Sequence, residues 1–60
     1  MKTADILDQV ARHAVEVAGW AERLANQSVR TEKYIRDEKF MYASVEDLVK
    51  WVKIYEREKQ

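Results

Sequence analysis

From residue 4 to residue 26, apolar side chains recur at the helical period, and every seventh residue is small. Ile6, Leu7, Val10, Ala14, Val17, Ala21 and Leu24 fall on one face at about 100° per residue, and Asp8, Arg12, Glu16 and Arg23 fall opposite. Within this pattern Ala4, Ala11, Ala18 and Ala25 repeat every seven residues, flanked by Ala14 and Ala21. The spacing predicts an amphipathic helix over about 4–26. Thr3 is its candidate cap, and Asp5 and Asp8 lie near the positive end of its dipole. Asp8 and Arg12 stand four apart in the favourable order. Alanine is the best helix former, and an alanine stripe also lets another helix come close, within the chain or from a second copy. Ala11 and Ala18 are therefore candidate interface residues. Gly19, the only glycine, falls on the polar side, as a tolerated weak point or a place of close approach. Asn26 suits a left-handed helix end.

A second amphipathic stretch begins at Ser44. With Asp47 three residues on, Ser44 reads as the N-cap of a helix over about 45–58. Val45, Leu48, Val52 and Tyr55 form a stripe fit to pack on the first helix, and Glu46, Lys50, Lys53 and Arg57 form the outer face. Val49, Trp51 and Ile54 widen the apolar face beyond what one neighbouring helix can cover. Trp20 raises the same question on the first helix. Trp20, Trp51 and Ile54 are thus the candidate interface anchors, since Trp is enriched at binding hot spots.

Residues 29–42, VRTEKYIRDEKFMY, are ambiguous. As strands, Val29, Thr31, Tyr34, Ile35, Phe40 and Tyr42 are good β formers around a turn at Asp37-Glu38, which lacks the usual Gly or Asn. As a helix, Thr31 caps, Glu32 pairs with Arg36, and Ile35 and Tyr42 share a face. Periodicity leaves both open.

Sixty residues make one small domain, which buries only about 60% of its unfolded surface. Without cysteine, and with one histidine, disulfides and Cys- or His-rich metal sites are excluded as support. Association with other chains remains. Eleven basic residues balance eleven acidic ones, which argues against a chain that mainly coats nucleic acid or an anionic membrane. No apolar run approaches the roughly 20 residues of a membrane span, and the acidic start MKTADILDQ is unlike a secretory leader, so synthesis inside the cell is expected. No phosphate loop, Cys nucleophile or His pair is present, and His13 borders the apolar face as a structural residue. No enzyme activity, cofactor, metal or small-molecule ligand is expected.

The segment FMYASVEDLVKWVKIYE resembles the gpW-like head-completion (head–tail connector) family of lambda-like phages. Phe40, Ser44, Val45, Asp47, Leu48, Lys50, Trp51, Val52 and Glu56 carry the likeness, with an alanine-rich helix before them. The resemblance departs from the family at Asp37-Glu38, where a glycine is usual, and at Gln60, where the given chain ends without a basic tail. It implies an α+β fold, helix–β-hairpin–helix, with two antiparallel helices and a hairpin over 29–42. It also implies a virion protein that forms a homo-oligomeric ring below the portal and joins the tail. In such a ring Arg30, Lys33, Arg36 and Lys39 would line a DNA channel. The alternative is an all-α helical hairpin or three-helix dimer. In that case 29–42 is helical, and the chain is a small regulatory or antitoxin-like interaction dimer built on the alanine seam.

Overall fold

The computed structural model describes residues 2–28 and 30–59. Among these residues two helices make up the fold: α1, Thr3–Ala25, and α2, Glu32–Glu58. They pack antiparallel along their length as a helical hairpin, whose Cα trace measures 45 × 13 × 12 Å.

The helix–β-hairpin–helix expectation is overturned. Among the described residues there is no strand, and 32–42 is the first part of one uninterrupted helix. Val29, expected in the first strand, lies outside the described residues. The helix starts at Thr31, whose hydroxyl accepts from the Tyr34 amide at 3.3 Å. From there to Glu58 no Gly or Pro interrupts it. Asp37 and Glu38 are helical, so no turn forms between them, and Ser44 sits in mid-helix, buried, instead of capping. A lone two-stranded hairpin has no sheet to join and is marginal in water. In a helix the same backbone satisfies its own hydrogen bonds and gains a continuous partner in α1. That combination overrides the β preference of Tyr34, Ile35, Phe40 and Tyr42.

The packing has the signature of a coiled-coil seam. On α1, Ile6, Val10, His13, Val17, Trp20, Leu24 and Gln27, just beyond its end, alternate steps of four and three; all are buried or half-buried. On α2, Tyr34, Asp37, Met41, Ser44, Leu48, Trp51 and Tyr55 do the same. Such 3-4 spacing keeps one narrow stripe of each helix turned to the other. Among the described residues Ile6 and Leu24 are the buried apolar side chains, and of the two only Ile6 is fully withdrawn from solvent.

Polar residues occupy four seam positions. At the loop end Gln27 Nε2 donates to Asp37 Oδ2 at 3.0 Å, and Asp37 is 4% exposed. This pair ties the two chains of the hairpin where they turn. His13 Nδ1 is buried without a hydrogen-bond partner, and the nearest acid, Glu16 Oε2, is 3.5 Å away.

The helix ends differ from the sequence reading in two details. Thr3 lies inside α1, and Lys2 holds the cap position without a side-chain cap bond. Asn26 ends α1 in the right-handed region, at φ −87°; its amide donates to the Glu22 carbonyl and the Gln27 amide to the Leu24 carbonyl, each at 3.1 Å. Gly19 is helical and open: a Cβ added there would meet nothing within 4 Å.

Two stability measurements follow. Gly19→Ala should raise unfolding stability by about 0.5–1 kcal/mol in urea melts, because it only removes backbone freedom. Gln27→Leu should lower it by roughly 1–3 kcal/mol by removing the hydrogen-bond donor of the buried Asp37 Oδ2, with only Arg36 Nε left, 3.9 Å from Oδ1. Combining Gln27→Leu with Asp37→Leu should recover most of that loss.

Candidate protein-interaction surfaces

A two-helix hairpin has two broad sides, one on each side of its seam, and here they differ in chemistry. About 100° round α1 from its seam lies a second stripe at the same 3-4 spacing. It comprises Ala4, Leu7, Ala11, Ala14, Ala18, Ala21 and Ala25, all exposed. On α2 the corresponding stripe is Ile35, Glu38, Tyr42, Val45, Val49, Val52 and Glu56. Because the helices are antiparallel, both stripes turn to the same side of the rod. They form one surface, the alanine side, whose only charges are Glu38 and Glu56. Glu38 faces Arg30 Nη2 at 3.6 Å. Leu7 stays 45% exposed, Tyr42 57% and Val49 45%. Side chains of this size are left in water because α1 offers them only its narrow seam.

The opposite, tryptophan side is built differently. Trp20 and Phe40 stack across the hairpin with ring centroids 5.2 Å apart and an interplanar angle of 21°. The Arg23 guanidinium lies 4.8 Å from the Trp20 ring centroid. Lys33 and Arg36 complete a shallow groove around this stack, with Asp37 at its floor. Trp51 and Ile54, both half-buried, lie further along the same side of α2 as Phe40. The depression between Lys50, Lys53 and Ile54 is the convex back of one helix and offers no enclosing wall.

The structure therefore divides the residues singled out in the sequence. Trp20, Trp51 and Ile54 belong to one side, and Ala11 and Ala18 to the other. The cations do not share a face. Lys33 and Arg36 line the aromatic groove, Arg30 stands in the loop beside Glu38, and Lys39 points away from the groove on the outer flank of α2. Tyr42 and Val49, which the sequence reading did not place in an interface, prove central to the alanine side. Their signal was available as a 3-4 repeat running from Ile35 to Val52, but it is readable only if 32–58 is one helix.

The surface area is informative. The chain exposes 4789 Å². A compact monomer of 7.1 kDa exposes about 4,100 Å² by the size scaling of folded monomers. The excess, about 700 Å², is close to the roughly 800 Å² that each partner buries in a standard protein–protein interface.

Among the described residues no helix is long and apolar enough to cross a membrane, and no three His, Asp or Glu side chains cluster as metal ligands. Phe40→Ala should destabilise the fold by about 1–2 kcal/mol although Phe40 is 49% exposed, since it removes the stack on Trp20. Loss of the near-ultraviolet circular dichroism of Trp20 would accompany it.

Comparison with known protein families, with characterised proteins and with solved structures gives no match to this chain.

Proposed function

We propose that this chain works by association and without chemistry, as a small helical protein-interaction dimer of the regulatory or antitoxin-like kind. Two copies join through the alanine side. The tryptophan side then faces outward as the surface for other proteins. The observation that carries the reading is the alanine side itself: two apolar stripes, aligned on one side of a rod that cannot cover them.

Magnitudes support it. Isolated helical pairs with so little buried apolar surface are marginal, and small domains of this size usually need external support. An area equal to that excess, buried as apolar surface, would contribute on the order of 15 kcal/mol per chain before the costs of association. That exceeds the total stability of a typical small domain. On the tryptophan side, an aromatic pair with arginine beside it has the composition of a binding hot spot.

The head-completion function rests on a fold with a β-hairpin between two helices. With 32–42 helical, that reading loses the fold its sequence resemblance implied, and no observation on the surface favours a ring over a dimer.

Sedimentation equilibrium tests the proposal. The native chain should have a mass of two copies, and its thermal midpoint should rise with concentration. Ala14→Glu should dissociate it. Ala14 is exposed in a single hairpin, so there the same change would alter stability by no more than about 0.5 kcal/mol. A one-copy mass that Ala14→Glu leaves unchanged would overturn the proposal.

A further inference from the structure

Resting on the dimer just proposed, we infer that the two copies lie with their loops at the same end, each α1 packed on the partner's α2, as one closed four-helix bundle.

A self-complementary pair has two ways to lay alanine side on alanine side. If the two-fold axis runs along the rods, α1 meets the partner's α2 and the loops stay together. If it runs across the rods, α1 meets the partner's α1, α2 meets the partner's α2, and the loops point apart. The first arrangement keeps every residue at its own level. The hairpin's register, in which Trp20 faces Phe40, then also governs the contact between copies. It brings Ala11 to the partner's Val49, Ala14 to the partner's Val45 and Ala18 to the partner's Tyr42. A small side chain meets a large one at each of these three levels, and nearer the open end Leu7 meets the partner's Val52.

Small-on-large packing lets facing positions interdigitate at uniform helix spacing. The second arrangement sets alanine on alanine along one wall and Tyr, Val and Ile on each other along the opposite wall. Helix spacing follows the side chains at the contact, about 8 Å for the smallest and 10 Å for larger ones. The two rods would then meet as a wedge, tight on one wall and splayed on the other.

Charges at the rim point the same way. With loops together, Asp8 comes alongside the partner's Lys53 and Glu22 alongside the partner's Lys39. With loops apart, Asp8 comes alongside the partner's Glu22, acid on acid, and symmetry repeats the clash. In the same register that arrangement brings Lys39 level with the partner's Lys50 and the partner's Lys53, cation beside cation, whereas the first sets both Asp8 and Glu22 beside lysines. Rim charges contribute little affinity but discriminate between orientations.

A distance measurement decides it. The chain has no cysteine, so Ser28→Cys in the exposed loop takes a single nitroxide label. Double electron–electron resonance should give a separation on the order of 20 Å, two helix spacings. Loops at opposite ends would give a value near the 45 Å length of the rod. In parallel, Glu22→Lys should weaken the dimer about two- to fivefold at low salt, and adding Lys39→Glu should restore it. A two-copy mass with the long distance, or a dimer tightened by Glu22→Lys, would overturn this arrangement and leave the dimer standing. A one-copy mass without dipolar coupling would overturn the dimer beneath it.

Discussion

A helix can turn only one stripe of its surface to a single neighbour, and in this protein there is only one neighbour. Everything else about the molecule depends on that geometric limit. The seam from Ile6 to Gln27 on α1 and from Tyr34 to Tyr55 on α2 uses up the contact that two antiparallel helices can make. Residues about 100° away have no intramolecular partner. Leu7, Ile35, Tyr42 and Val49 remain in water for that reason. A third helix or a sheet would have covered them; a two-helix rod exposes them by construction.

The seam itself is chosen more for register than for strength. Of its fourteen positions, His13, Gln27, Asp37 and Ser44 are polar. An apolar residue at each would add stability, yet uniform apolar seams slide. The Gln27–Asp37 hydrogen bond at the loop end holds the helices at one offset, because any slip strands a buried carboxylate. Fixed offset matters beyond the hairpin. It aligns the small stripe of α1 with the large stripe of α2, so the alanine side has a defined relief. The exposed Asp8–Arg12 pair, at 3.0 Å, contributes little by comparison.

The two sides differ in chemistry in a way that fits the proposed division of binding between them. The alanine side is long, stepped from small to large side chains and nearly uncharged, which suits a copy of itself. The tryptophan side is short and concentrated: one aromatic stack, one guanidinium over its face and two further cations near the start of α2. Its character suits a different partner. Separation of the two on opposite sides of a rod lets one be buried while the other stays open.

The sequence by itself determined the character of α1. Its helical period, its alanine heptad and its Asp8–Arg12 pair are all visible as local spacing. So is the lack of cysteine, which rules out disulfide support. Only the tertiary structure decided the state of residues 30–42. Their side chains fit a strand and a helix about equally, and the choice is made by α1, which offers a seam that a helix can follow and a hairpin cannot. Tertiary packing also decided which apolar residues are spare. Periodicity shows that two faces exist on each helix, but which face is buried depends on how two distant segments meet. That meeting placed the alanines outside, with Tyr42 and Val49 beside them.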